Sequence, residues 1–192
     1  MEETAVIGMD EKLMDERLNE QIDKRTTCCF TGHRPQKLPW GWSDSDLRLD
    51  RTSAWIAEQL EDLYSRGYRT FMCGMALGCD SIFADEVIRL RNRHPGVVLY
   101  GAIPCADQAS KWNEKHKLRY AQLVDQCGVV KIFYDYYNSW CMSERNEFMV
   151  DNSSVIISCF LGSPGGTMKT LAYAMRKGLE TRIFDLNVFN GK

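Results

Sequence analysis

Residues 68–90, YRTFMCGMALGCDSIFADEVIRL, form one strand–turn–helix unit and set the pattern for the chain. Tyr68–Cys73 is a short run of mainly apolar residues, which predicts a strand. Gly74 and Gly78 mark a turn, and the apolar residues Phe83, Val87 and Leu90 then recur at helical spacing. The segment therefore predicts a strand that passes through a tight turn directly into a helix.

The same alternation of strand and helix recurs about five times between residues 27 and 186. Further strands are predicted at 27–30, 97–103, 129–134, 155–160 and 182–186. Helices are predicted from Ser43 or Asp44 to Gly67, over about 108–126, and at 143–150 and 167–177. Because strands that are apolar on both faces must be covered on both sides, the predicted fold class is α/β, a Rossmann-like parallel sheet with helices on both faces. Residues 26–192 are predicted to form this single domain.

The composition is typical of a globular protein. Of 192 residues, 44% are hydrophobic and 26% charged, and 24 basic residues against 26 acidic ones give a net charge of −2. Since proteins that follow a phosphate backbone are usually basic, nucleic acid is disfavoured as a partner, but a small nucleotide pocket is not. We expect a cytoplasmic protein with no membrane contact, because the sequence has no long apolar run and its first 25 residues lack a secretory signal pattern.

The eight cysteines are predicted to be structural. Cys28, Cys29, Cys73 and Cys159 lie within or beside apolar runs, where a thiol is most often a small buried hydrophobe. No C-x-x-C pair occurs and the three histidines are far apart in sequence, so no metal site is predicted.

Residues 1–25 form a charged N-terminal extension without aromatic residues. Met14, Leu18 and Ile22 recur every fourth residue, which would give one narrow apolar stripe on a helix. Two interpretations stay open: a helix that docks on the domain, on a protein partner or on a second copy in a homo-oligomer, or a frayed charged tail.

Glycine-rich turns follow several predicted strands, and ligands of open parallel sheets bind beyond the carboxyl ends of the strands. Those ends carry Thr31-Gly32-His33-Arg34, Gly74-Met75-Ala76-Leu77-Gly78-Cys79-Asp80, Pro104-Cys105-Ala106-Asp107 and Gly162-Ser163-Pro164-Gly165-Gly166-Thr167. Glycine lets a backbone approach a phosphate, and the helix that follows offers free N–H groups. Two such turns favour an anion or phosphate site; the alternative is that glycine serves only the tight turns.

Side chains near these turns extend the candidate site. Arg34 has the planar fork that suits a phosphate, or it pairs with a surface acid, and His33 can hydrogen-bond a ligand. Asp80 is expected either to cap its helix or to accept from a ribose hydroxyl. Candidates on the helix predicted after the fourth strand are Arg145, Asn146 and Asp151. Aromatic candidates for stacking on a base, with core packing as their commoner role, are Trp112, Tyr134, Tyr136, Tyr137 and Trp140.

Several familiar signatures are missing. The first strand is followed by Gly32 alone, so the G-x-G-x-x-G fingerprint of dinucleotide-binding folds is absent. The run 166–170 resembles a P-loop, but Met168 stands where a glycine must precede the lysine. No G-x-S-x-G turn of a hydrolase occurs.

Four motifs taken together resemble the YpsA-type branch of the SLOG superfamily. They are Thr31-Gly32-His33-Arg34-Pro35, Gly74-Met75-Ala76-Leu77-Gly78-Cys79-Asp80, Arg145-Asn146 with Asp151, and Pro164-Gly165-Gly166-Thr167. The resemblance covers about residues 27–186 and implies a Rossmann-like fold. The superfamily includes the Lonely Guy phosphoribohydrolases, the DNA-processing protein DprA and domains thought to sense nucleotide-derived signals. The candidate ligand-binding residues are Thr31, Gly32, His33, Arg34, Gly74, Met75, Ala76, Gly78, Asp80, Pro104, Trp112, Arg145, Asn146, Asp151, Gly165, Gly166 and Thr167.

One departure separates this sequence from the enzymes that it resembles. Lonely Guy enzymes carry a glutamate three residues after a G-T pair, where it assists departure of the base. Alignment of Gly166-Thr167 on that pair puts Thr170 at the glutamate position. A hydroxyl cannot hold the negative charge that stabilises an oxocarbenium-like centre. Glu144 and Glu147 are the remaining catalytic candidates.

The predicted function is therefore binding rather than catalysis. The ligand would be a nucleotide or an ADP-ribose-type molecule, held for sensing, signalling or sequestration, with no cofactor required. Two alternatives stay open: an N-glycosidic hydrolase or transferase acting on nucleoside monophosphates, and a DNA-associated protein similar to DprA.

Overall fold

The computed structural model describes residues 22–43 and 45–189, which form six strands and five helices. The strands are β1 Thr27–Gly32, β2 Thr70–Cys73, β3 Val98–Ile103, β4 Val129–Ile132, β5 Val155–Phe160 and β6 Glu180–Asp185. The helices are α1 Leu47–Ser65, α2 Cys79–Arg93, α3 Glu114–Asp125, α4 Cys141–Asp151 and α5 Gly166–Arg176.

The six strands form one parallel sheet in the order β4-β3-β2-β1-β5-β6. Chain order runs outward from β1 to β4 on one side, and it resumes at β5 on the other side. The carboxyl ends of β1 and β5 therefore mark the point where the strand order reverses, which is where open α/β sheets leave a crevice.

Two apolar layers cover the two faces of this sheet, as predicted. Alternate residues of each strand enter different layers: Cys28 and Phe30 of β1 belong to the first, and Cys29 to the second. The first layer contains buried residues of α1, α2 and α3, and the second contains buried residues of α4 and α5. The predicted α/β arrangement, with helices on both faces of a parallel sheet, is confirmed.

The ends of several elements differ from the sequence prediction. Strand β4 stops at Ile132 rather than at residue 134, and α1 begins at Leu47 with Asp46 as its cap. The cap was predicted at Ser43 or Asp44, and Asp44 lies outside the described residues. The Asp46 side chain accepts from the Arg48 backbone N–H at 2.9 Å, which satisfies a free donor of the first helical turn.

The aromatic residues after β4 are exposed, which corrects the expectation that most of them are core. Tyr136 is 77%, Tyr137 64% and Trp140 57% exposed. The reason is their place in the sheet: β4 is an edge strand, and the segment that leaves it has no further strand to pack on.

The N-terminal extension is described only from Ile22 onward, so Met14 and Leu18 lie outside the described residues. Ile22 is partly buried and packs against the second apolar layer. A short 3-10 turn, Lys24–Thr26, then leads into β1, with the Asp23 side chain accepting from the Arg25 backbone N–H at 3.0 Å.

All eight cysteines are free thiols, and the predicted burial of Cys28, Cys29, Cys73 and Cys159 is confirmed. Across residues 22–43 and 45–189, no three His, Cys, Asp or Glu side chains group closely enough to hold a metal ion. In the same part of the chain, no helix combines the length and apolar character needed to cross a membrane.

Packing at Gly32 gives the first prediction. A Cβ added there would overlap the Cβ of Cys79 at the start of α2. We expect Gly32→Ala to lower the free energy of unfolding by about 1–3 kcal/mol, the usual cost of an overpacked core, as measured by urea denaturation. Gly166→Ala is the control, because a Cβ at Gly166 meets no atom within 4 Å. Wild-type stability of Gly32→Ala would contradict the prediction.

Candidate functional site

The turn after β1 is fastened to the loop that follows β5. The Leu161 backbone N–H donates to Nε2 of His33 at 3.1 Å. The Lys37 ammonium donates to the Pro164 carbonyl at 2.9 Å. Because the two loops belong to the strands at which the sheet order reverses, these bonds fix the width of the crevice between them.

Two further hydrogen bonds bring helices to the same turn. The hydroxyl of Thr167, in the first turn of α5, donates to the Gly32 carbonyl at 3.1 Å. The backbone N–H of Cys79, at the start of α2, donates to the His33 carbonyl at 3.1 Å. The N-termini of both helices are thereby drawn to the carboxyl end of β1.

His33 is buried and electrically neutral. Its Nε2 accepts a hydrogen bond, so the ring proton sits on Nδ1. The ring stacks on Phe160, with centroids 5.5 Å apart. Burial lowers the pKa of His33, and the nearby Lys37 charge lowers it further.

Arg145 of α4 places a buried guanidinium beneath the crevice. The residue is 6% exposed, and Nη1 donates to the Ala102 carbonyl of β3 at 3.2 Å. The guanidinium occupies the space that a side chain at Gly74 would need, since a Cβ there would overlap Nη1. Nε has no hydrogen-bond partner among the described residues. Burial lowers the pKa of Arg145, partly offset by the charge of Asp80.

Asp80 is also buried, and it does not cap its helix, so that expectation is wrong. Gly78 is the N-cap of α2, whereas the Asp80 carboxylate accepts from the Ala76 backbone N–H at 3.2 Å. Burial raises the pKa of Asp80 above its ordinary value, and the Arg145 charge opposes that rise. The carboxyl group therefore braces the glycine-rich turn beside the guanidinium.

These groups line a cleft of about 340 Å³ at the carboxyl edge of the sheet. The structure brings eleven of the predicted ligand-binding residues together in its wall. They are Thr31, Gly32, His33, Arg34, Ala76, Asp80, Arg145, Asn146, Gly165, Gly166 and Thr167. The cleft is thus assembled from four separate segments of sequence.

Six predicted residues do not line the cleft: Gly74, Met75, Gly78, Pro104, Trp112 and Asp151. Gly74 lies beneath Arg145, and Gly78 has a φ of 95° with the His33 carbonyl 2.6 Å from where its Cβ would be. Met75 and Pro104 are buried, and Trp112 lines a neighbouring cavity. Asp151, the last residue of α4, pairs with Lys177 at 2.7 Å.

Sequence reasoning missed five residues that line the cleft: Phe30, Gln36, Lys37, Met142 and Met149. Phe30 and Met149 are also part of the core, so their apolar character gave no separate signal. Lys37 lies three residues beyond Arg34 in the same turn. Its positive charge close to Arg34 was the signal by which the sequence could have identified it as a cleft residue.

The acidic candidates Glu144 and Glu147 lie outside the cleft. Glu144 is exposed and accepts from the Tyr134 hydroxyl. Glu147 is exposed and lines a groove between α4 and α5, which shares Met142, Asn146, Gly165 and Gly166 with the wall of the cleft. Thr170 donates its hydroxyl to the Gly166 carbonyl at 2.9 Å, within its own helix.

Arg34 is exposed and forms no ion pair with any residue in 22–43 or 45–189. The alternative that it pairs with a surface acid is therefore not met in the described part of the chain. Its guanidinium lines the cleft, and its donors form no hydrogen bond within the described part of the chain.

The model of the YpsA family (YspA SLOG family) matches residues 28–190, a span that contains the sheet from Cys28 onward and every segment of the cleft. The chain belongs to the YpsA family of SLOG proteins. The resemblance inferred from the four motifs is thereby confirmed.

Curated relatives of this YpsA-family chain include proteins of Bacillus subtilis, Brevibacillus brevis and Bacillus pumilus. The uncharacterized SPbeta prophage-derived protein YoqJ of Bacillus subtilis is 27% identical over 129 residues, covering 61% of this chain and 75% of YoqJ. A UPF0398 protein of Brevibacillus brevis is 24% identical over 119 residues, covering 59% of this chain and 63% of the relative. A UPF0398 protein of Bacillus pumilus is 23% identical over 141 residues, covering 72% of this chain and 75% of the relative.

Two solved structures of DNA processing protein A share the fold. The Helicobacter pylori protein, described for its single-stranded DNA binding mode, has a TM-score of 0.57 at 17% identity and aligns with 84% of this chain. The Streptococcus pneumoniae protein has a TM-score of 0.56 at 14% identity and aligns with 83%. The YpsA-family chain spans 66% and 50% of these two chains. At these identities the similarity establishes the fold.

The buried His33 makes stability depend on pH. In the unfolded chain His33 regains a pKa of about 6.5, so below that pH the unfolded state takes up a proton that the folded state resists. The free energy of unfolding should fall as the pH drops from 7.5 to 5.5, with His33 contributing at most about 1.4 kcal/mol per pH unit. We expect His33→Gln to lose this component in urea titrations at each pH. Equal pH dependence in both proteins would contradict the prediction.

Proposed function

We propose that the cleft binds a phosphorylated, nucleotide-derived ligand. The observation that carries this proposal is the Arg145 guanidinium, which is buried at the cleft with its Nε unpartnered among the described residues. A buried cation with unused donors is costly unless an anion completes its hydrogen bonds. Arg34 at the rim supplies a second cation without an ion pair in the described structure.

The phosphate would lie against the turn before α5. Gly165 has a φ of 153°, a backbone conformation that favours glycine. Gly166 differs, because its φ is ordinary and a Cβ there would meet no atom within 4 Å. The fold therefore gives no reason for glycine at 166, whereas close approach of a ligand oxygen to the backbone does. The N–H groups of the first turn of α5 add donors at the same place.

The nucleoside part of the ligand would contact the inner wall of the cleft. The partly exposed Met142 gives that wall an apolar surface suited to a base or sugar face, and the buried Phe30 and Met149 lie behind it. Asp80 and Asn146 are the polar side chains beside it and can hydrogen-bond sugar hydroxyls.

Binding is favoured over glycosidic hydrolysis because the glutamate of related enzymes has no counterpart in the described lining of the cleft. Thr170 occupies the position of the glutamate in related enzymes, and its hydroxyl is already bonded to Gly166. Asp80 is the carboxyl group in the described lining, and burial raises its pKa, which disfavours its charged form.

A groove for nucleic acid has less support, despite the fold shared with the DprA proteins. The net charge is −2, and two cations of the basic stretch 111–119 are neutralised locally. Lys117 pairs with Glu114 at 2.9 Å, and Arg119 pairs with Asp85. We therefore favour a small ligand, held in the cytoplasm where the free thiols would stay reduced.

Thermal unfolding with nucleotides tests the proposal. We expect adenosine monophosphate, guanosine monophosphate, ADP or ADP-ribose to raise the Tm, since a ligand at 100 times its Kd adds about 2.7 kcal/mol of stability. Arg34→Ala should weaken binding about tenfold or more, because a charge-assisted hydrogen bond is lost.

The matched control is Arg51→Ala, which removes an exposed arginine of α1 that lies outside the cleft. This variant should bind as the wild type does. If no nucleotide raises the Tm of the wild type and none is released on denaturing the purified protein, the proposal fails.

Assays for free base separate binding from hydrolysis. We expect no release of adenine or guanine from the monophosphates above the buffer rate, because Thr170 stands where related enzymes have the glutamate that assists departure of the base. Base release by the wild type that is abolished in Asp80→Asn would establish the hydrolase alternative. Glu144→Gln and Glu147→Gln serve as controls, since both side chains lie outside the cleft.

A further inference from the structure

A second cavity adjoins the cleft and shares part of its wall. Its volume is about 620 Å³, larger than the cleft, and the side chains of Arg34 and Gln36 line both spaces. Its other walls come from Trp42 in the segment before α1 and from the segment that leads into α3. The two cavities therefore meet at Arg34.

The wall of the second cavity is aromatic and cationic. Trp42 is 50% exposed and stacks on His116, with ring centroids 4.7 Å apart. Trp112, predicted from the sequence as a base-stacking residue, lines the same space. Lys111 is exposed and has no ion pair in the described structure, and the described lining contains no carboxylate. Aromatic faces combined with cations bind nucleobases and the phosphates attached to them.

We propose that the ligand is a dinucleotide that occupies both cavities. Its first phosphorylated half would lie in the cleft and its second base in the second cavity. Arg34 would bind the phosphate that joins the two halves. The inference rests on the proposed function of the cleft. At about 340 Å³ the cleft is near the lower end of the range for ligand sites, about 300–1,000 Å³, so a larger ligand would need the adjoining space.

Two kinds of dinucleotide share this chemistry, and the choice of probes distinguishes them. One has a 5′–5′ pyrophosphate link, as in diadenosine diphosphate, and the other has a 3′–5′ phosphodiester link, as in pApA. Calorimetric titration of the full chain with AMP and with both compounds compares the affinity for a ligand with one base with the affinity for ligands with two. We expect at least one dinucleotide to bind about tenfold more tightly than AMP, and the tighter of the two identifies the linkage.

Variants of the second cavity make the test specific. Lys111→Ala and Trp42→Ala should each weaken dinucleotide binding at least about fivefold, in line with base stacking, and leave AMP binding within about twofold of wild type. Lys117→Ala is the matched control, because Lys117 lies on the same stretch but pairs with Glu114 and does not line the cavity. Circular dichroism checks that each variant is folded.

The outcomes separate this inference from the proposed function. Equal affinity for AMP and both dinucleotides, or dinucleotide binding unchanged in both cavity variants, would overturn the inference and leave nucleotide binding in the cleft intact. Failure of AMP and of both dinucleotides to bind the wild type would overturn the inference, and the proposed function falls with it if GMP, ADP and ADP-ribose also leave the Tm unchanged. A ten-residue oligoadenylate that binds far more tightly than pApA would also overturn it, in favour of a single-stranded nucleic acid.

Discussion

Hydrogen bonds that converge on the turn after β1 are the constraint on which the cleft depends. They reach that turn from the loop after β5, from α5 and from α2, and their acceptors are the His33 ring and the carbonyls of Gly32 and His33. Because β1 is the strand at which the sheet order reverses, these bonds join elements that belong to the two halves of the sheet. The carbonyls of Gly32 and His33 are therefore used in hydrogen bonds within the fold, whereas the Arg34 side chain takes no part in these bonds.

The buried Arg145 is the second constraint, and it works against stability rather than for it. Desolvating a guanidinium costs free energy. Among the described residues, the Ala102 carbonyl, the Met142 sulfur and the nearby charge of Asp80 compensate part of that cost. Gly74 provides the space that makes this burial sterically feasible. A charge kept in such surroundings is typical of a site whose full set of partners is completed by a ligand.

Much of the fold could be predicted because it depends on local patterns. Apolar runs such as 155–160 and glycine-rich turns such as 74–78 can be recognised in the sequence. Together they predict a parallel sheet and the edge at which such sheets bind ligands. The role of each glycine could not be predicted, because it depends on neighbours distant in sequence. Gly32 makes room for Cys79 and Gly74 makes room for Arg145, whereas no packing explains Gly166. Asp151 does not line the cleft because, at 1.5 Å per residue, it lies about 9 Å along α4 from Arg145.

The distribution of thiols in the sheet has a practical consequence. Three of the four interior strands carry at least one fully buried cysteine: Cys28 and Cys29 in β1, Cys73 in β2 and Cys159 in β5. Burial raises the pKa of Cys29 to about 12, so little thiolate exists at neutral pH and alkylation needs the sheet to part. The rate at which these four buried thiols are alkylated therefore reports how often the sheet beneath the cleft opens, and no cysteine needs to be introduced for the measurement.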